Sequence, residues 1–142
     1  MKNKQSLVLM EQLIMILVFA LAAALCLQAF ALSDRLSRRS QSRDQAVLVC
    51  QNAAEILEHC SGDYALASSQ LGGSWDGSVW EITYDEVWTS NTDSPAYILQ
   101  VTPLESGNPL LGTARVKLHT ASGDELFSLS ASWQKEVSTD GT

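Results

Sequence analysis

The side chains best suited to chemistry in this chain are three cysteines, two histidines and a few paired carboxylates. A thiolate beside an imidazole is a nucleophile, and His59 adjoins Cys60. Neighbouring residues of a helix point in different directions, so that pair does not form within one helix. Cys50 and Cys60 are ten residues apart. On a helix that is about 15 Å of rise, beyond disulfide reach unless the helix ends well before Cys60. Cys26 lies inside an apolar run. All three read as small apolar or free thiols. Asp85-Glu86 and Asp124-Glu125 are acidic pairs. A loop calcium site would use such pairs, but a solvated face accounts for them too. No zinc-ligand spacing, phosphate-cradling Gly-rich loop or nucleophile elbow occurs. Trp75, Trp80, Trp88 and Trp133 could line a binding platform, although such residues more often pack a core or a sheet. No catalytic, cofactor-binding or metal-binding set emerges, and an enzyme is not expected.

One carboxylate asks for a different explanation. Glu11 is the only charged residue between Leu7 and Ser33. A charge at membrane depth costs several kcal/mol unless it is paired or near the interface. Either Glu11 lies at the headgroup level, or it needs a cationic partner such as an N-terminal amine.

The elements around it follow from composition. Gln12–Ser33 is 22 residues without a charge. As a helix it spans about 33 Å, against a hydrocarbon core of about 30 Å. Leu, Ile, Met, Ala and Phe dominate, and Pro and Gly are absent, so a continuous transmembrane helix is expected. A secretory signal core runs about 7–15 residues, shorter than this one. Ala29-Phe30-Ala31 nevertheless matches a signal-peptidase pattern, so a secreted domain cut after Ala31 stays as an alternative. A lipoprotein signal fits less well, because Leu25, which precedes Cys26, is not small.

The helix is expected to continue beyond the apolar run. Ser33–His59 contains no Gly or Pro. Val47, Cys50, Ala54 and Leu57 recur at 3-4-3 spacing, one face of a helix, and Ala46, Ala53 and Ile56 widen it. Arg39, Arg43, Asp44, Gln51, Glu55 and Glu58 take the other side. Ser61-Gly62 is the expected stop. A helix from Leu7 to His59 would be roughly 80 Å long.

After Gly72-Gly73 the period changes to two. Trp80, Ile82 and Tyr84 alternate with Val79, Glu81, Thr83 and Asp85. Tyr97–Thr102, Ala114–Thr120 and Glu125–Gln134 give further strands, separated by the turn clusters Asn91–Pro95, Glu105–Pro109 and Ala121–Asp124. The expected fold is α+β: a long N-terminal helix, transmembrane in its first half, packed on a small antiparallel sheet of about four strands. The segments are a leader at 1–6, a transmembrane helix at 7–32, an amphipathic continuation at 33–60, a β domain at 61–136 and a polar, frayed tail at 137–142.

Charge is divided unevenly. From residue 60 onward there are three basic and eleven acidic side chains, a balance of −8, while the whole chain carries −7. Such a surface repels phosphate, so direct nucleic-acid binding is not expected. Lys2 and Lys4 precede the apolar run, and Arg35, Arg38, Arg39 and Arg43 follow it. The positive-inside rule alone would favour a cytoplasmic C-terminal part or leave the matter open. The Trp-rich, strand-rich C-terminal half and the short N-terminal segment favour a cytoplasmic N-terminus and an extracytoplasmic C-terminal domain.

The N-terminal pattern resembles a known family. A short basic leader, the small residue Ser6, the apolar Leu7-Val8-Leu9-Met10 and then Glu11 opening a long apolar helix is similar to type IV prepilins and pseudopilins. Gln45–Glu55 is similar to the corresponding helix of the minor members of that family. The resemblance implies cleavage between Ser6 and Leu7 by a prepilin peptidase and methylation of the new N-terminus at Leu7. It implies that Glu11 helps to pair with the N-terminal amine of a neighbouring subunit. The implied partners are other pilin or pseudopilin subunits, the peptidase and membrane lipid. The implied role is a structural subunit of a type IV pilus, a competence pilus or a type II secretion-like filament. Departures from the family pattern are Ser6 where Gly is usual, Leu7 where Phe or Met is common, Val8 where Thr is frequent, and the lack of a helix-kinking Pro. A single-pass anchor holding an extracytoplasmic binding domain is the other reading.

Overall fold

The computed structural model describes residues 2–90 and 92–136. Met1 of the leader, Asn91 of the first turn cluster and the tail at 137–142 lie outside the described residues. The long helix, α1, runs from Lys2 to His59, so it begins five residues before the expected Leu7. The chain divides into two compact units between Gln41 and Ser42. Within the first unit α1 exposes every large apolar side chain from Leu7 to Leu36 that faces outward, among them Phe19 and Phe30.

The second unit begins at Ser42 and joins the last part of α1 to a short helix, α2 (Tyr64–Leu71), and five strands. The strands are β1 (Ser74–Trp75), β2 (Trp80–Tyr84), β3 (Tyr97–Leu104), β4 (Leu111–Thr120) and β5 (Glu125–Gln134). They form one antiparallel sheet in sequence order, β1-β2-β3-β4-β5. The four expected strands are present, and two-residue β1 is added at one edge. The fold is thus α+β, a helix on an antiparallel meander.

Register explains the core. Trp80 pairs with Val101, Val101 with Val116 and Val116 with Leu129, so one row of apolar side chains crosses four strands. Ile82, Leu99, Leu118 and Phe127 form the next row. On one strand the side chains alternate between faces, so both rows point to the same side. There they meet Ala46, Cys50, Ala53, Ala54 and Leu57 of α1, all buried. The helix stripe is made mainly of small residues, which leaves room for the indole of Trp80 and the branched chains of Ile82, Leu99 and Leu118. Val47, expected in the stripe, is only half-buried. Ala46 and Ala53, expected as its margin, are fully buried, so the stripe is rotated slightly toward them.

Two strands extend past their expected ends. β3 includes Pro103, paired with Ala114. β2 begins at Trp80, opposite Val101, so beyond Val101 β3 has no ladder neighbour on that side. Proline, which lacks a backbone donor, is tolerated where a strand is locally an edge. β4 accordingly starts at Leu111, three residues before the expected Ala114.

The helix stop is a double hydrogen-bonded turn. The Gly62 N–H donates to the Leu57 carbonyl at 3.0 Å, and the Ser61 N–H donates to the Glu58 carbonyl at 3.0 Å. This is the Schellman arrangement, with Ser61 in the left-handed position at φ 53°. Gly62, at φ 83°, serves a second purpose: a Cβ there would collide with the indole of Trp133, as would one on Gly112. The Trp133 ring is therefore seated between two bare backbones, one after α1 and one on β4. Asp63 then caps α2, its carboxylate accepting from the Leu66 N–H at 3.1 Å.

These contacts fix two outcomes. Leu57→Ala removes a fully buried side chain from the helix–sheet contact and is expected to cost about 2–5 kcal/mol. Gly112→Ala is expected to lower stability as well, by displacing Trp133, whereas Gly107→Ala, which meets nothing, is expected to be nearly neutral. Thermal unfolding of the full chain in mild detergent, followed by tryptophan fluorescence, measures all three.

Candidate functional site

The sequence singled out Ser6, Leu7 and Glu11, and the structure places all three on the opening turns of α1, exposed. The Ser6–Leu7 bond lies inside the helix rather than at its start. Leu7 and Glu11 are four residues apart, so they share a helix face. The following residues of that face, Ile14, Met15 and Val18, are apolar and exposed. Among the described residues no cationic side chain is paired with Glu11; the two ion pairs are Arg38 with Asp34 at 3.1 Å and Lys117 with Glu125 at 3.5 Å. Lys4 lies on the same side as Glu11 but two turns away, about 10 Å along the axis.

The apolar surface around this carboxylate is extensive. An 18-residue window of α1 reaches a mean hydropathy of 2.6, with none of it buried within the chain. Phe19 is 77% exposed and Phe30 76%. Single exposed apolar residues are ordinary on a soluble protein, but a contiguous sleeve of this extent marks an interface or a lipid contact. The helix is long and apolar enough to cross a membrane, which is consistent with a membrane anchor.

Elsewhere the chemistry-bearing residues are engaged in structure. Cys50 is buried in the helix–sheet core, where burial pushes its thiol up to about 12. Cys60 is buried and Cys26 exposed, and all three thiols are free. His59 is exposed while Cys60 turns inward, so the adjacent pair points apart. His119 Nδ1 lies 3.0 Å from the Thr120 carbonyl oxygen. Asp85 organises the loop after β2, its carboxylate accepting from the Val87 N–H at 3.0 Å and the Thr89 N–H at 2.8 Å. Glu125 contacts Lys117 across the outer face of the sheet. Among the described residues no group of three or more His, Cys, Asp or Glu is placed to hold a metal ion.

Two tryptophans, Trp80 and Trp133, are buried, and Trp75 and Trp88 are half-buried against the same core. Trp80 is fully buried and donates from Nε1 to the Gly72 carbonyl at 2.9 Å. Trp75 stacks on Tyr64 at a centroid distance of 4.4 Å, and Trp133 meets the edge of the same ring at 6.4 Å. Trp88 stacks on Tyr97 at 4.2 Å. The sequence pattern did not reveal these pairs, because each joins residues from separate elements with no fixed spacing.

No family model, curated protein or solved structure matches the chain.

The Cys50 thiol reports on this arrangement. In detergent at about pH 8, N-ethylmaleimide is expected to modify Cys50 only after denaturation, because its thiol is buried in the helix–sheet core. Mass spectrometry of peptides taken before and after unfolding checks this.

Proposed function

We propose that this chain is a structural filament subunit of the minor pilin or pseudopilin type, acting by assembly rather than catalysis. The observation that carries the reading is Glu11. It is the one charge between Leu7 and Ser33, on an exposed apolar helix that continues without a break into a sheet-packed half. A lone carboxylate in that setting is costly until a cation reaches it, and the chain itself supplies none among the described residues. In the proposed mechanism, cleavage between Ser6 and Leu7 creates an amine at the start of the same apolar helix. When helices bundle side by side, the amine of one subunit neutralises Glu11 of the next, and burial of the apolar sleeve supplies most of the association energy. The C-terminal domain then stands outside the membrane, with the N-terminus on the cytoplasmic side. Prepilin peptidase and other pilin or pseudopilin subunits are the partners this requires.

A different reading, a plain single-pass anchor for a binding domain, makes the same use of the apolar helix but gives Glu11 no partner. The N-terminus and intact mass of the protein from its own membrane separate the two. A start at Leu7 with one added methyl group is expected. An intact Met1 or Lys2 would favour the plain anchor, and a start at Leu32 would mean a secreted domain. Glu11→Ala is expected to cut filament incorporation at least about tenfold while leaving membrane association intact. Equal incorporation of Glu11→Ala and wild type would remove the role given to Glu11.

A further inference from the structure

The segment directly after the apolar run carries two positive charges that no carboxylate neutralises among the described residues. Arg35, Arg38 and Arg39 follow Ser33 within six residues, all exposed on α1. Arg38 is held by Asp34 through its Nε at 3.1 Å. Arg35 and Arg39 have no carboxylate within ion-pair distance among the described residues. They are four apart, so their guanidinium groups project from one side of the helix, about 6 Å apart along the axis.

Depth gives this pair its meaning. If the uncharged stretch Gln12–Ser33 fills a hydrocarbon core of about 30 Å, Arg35 stands about 3 Å beyond it and Arg39 about 9 Å. The polar headgroup layer is roughly 5–8 Å thick on each side, so the two side chains can reach it with their charged ends. A guanidinium fork matches the oxygens of a phosphate and binds it with two parallel hydrogen bonds. We infer that Arg35 and Arg39 form an arginine collar that binds the phosphates of anionic phospholipid headgroups, fixing the depth of the helix. A second copy could instead offer its acidic domain to the collar. Lipid is favoured because the collar continues directly from the exposed apolar sleeve. This inference rests only on the membrane-helix part of the proposed function, not on cleavage or filament assembly.

The test uses the full chain in neutral detergent, titrated with phosphatidylglycerol or phosphatidylcholine, and counts retained lipids by native mass spectrometry. Wild type is expected to retain phosphatidylglycerol over phosphatidylcholine by about tenfold at low salt, and to lose the preference at high salt. Arg35→Gln with Arg39→Gln is expected to abolish the preference, while Arg35→Lys with Arg39→Lys keeps part of it. Arg115→Gln with Lys117→Gln, on the outer face of the sheet, is the control for net charge and is expected to keep it in full. Equal retention of the two lipids by wild type, or a preference that survives the glutamine pair, would overturn the inference. Displacement of the lipid by inorganic phosphate beyond that by chloride at equal ionic strength would assign the collar to free phosphate and overturn it too. So would salt-sensitive association of chains without phosphatidylglycerol that the glutamine pair removes, since the acidic domain of a second copy would then be the partner. Reconstitution into phosphatidylcholine vesicles separates the levels. A helix left open to aqueous protease there would overturn the membrane reading itself, whereas protection without lipid preference overturns the collar alone.

Discussion

Close approach of a helix to a sheet is the constraint on which the second unit depends. Helix α1 presents Ala46, Cys50, Ala53 and Ala54, with Leu57 as its one large buried contact. The sheet presents Trp80, Ile82, Leu99, Val101, Val116 and Leu118. Small against large is how two rigid surfaces interlock at interior density. The registers of β2, β3 and β4 bring those residues to one face, and a slip by one residue would send them all to solvent. Burial of Cys50 follows from the same approach: the position takes a side chain of modest size with no charge.

The first part of the helix obeys the opposite logic. Its apolar side chains are exposed, with no packing partner among the described residues, and exposed apolar surface is costly in water. One uninterrupted helix thus has an exposed apolar first part and a last part packed on the sheet, with arginines at 35, 38 and 39 between them. The backbone satisfies its own hydrogen bonds throughout, which is what both a lipid interior and a packed core demand.

Much of this was legible in the sequence. Three strands follow from alternation at Trp80-Ile82-Tyr84, Val116-Leu118 and Phe127-Leu129-Ala131-Trp133, because one face of the sheet is covered and the other wet, and the fourth from the aromatic and aliphatic run Tyr97–Thr102 between turn clusters. The helix stop near Ser61-Gly62 was legible too, though not that the left-handed position belongs to Ser61 and that Gly62 makes room for a ring. Helix α2 was missed: eight residues, with Ala67 alone buried, give no period to detect, and only Asp63 before it is a signal. Two-residue β1 is likewise below the length at which a pattern exists. The aromatic pairs could not be read, since Tyr64 with Trp75 and Trp88 with Tyr97 depend on how separate segments meet. Of the candidate site, Glu11 was legible because a single charge interrupts an apolar run. Arg35 and Arg39 spoke only to orientation until the structure showed them without an ion-pair partner among the described residues.

The strand order has a last consequence. One border of the sheet is β1, two residues long, and the other is β5, ten residues long and uncharged from Leu126 to Gln134. Proteins that must keep a border closed put lysine, proline or a bulge along it. Apart from the irregularity opposite Leu118 and His119, β5 has none of these. The two borders are therefore unequal: β5 presents a full-length row of backbone groups along its outer side, and β1 a row of only two residues.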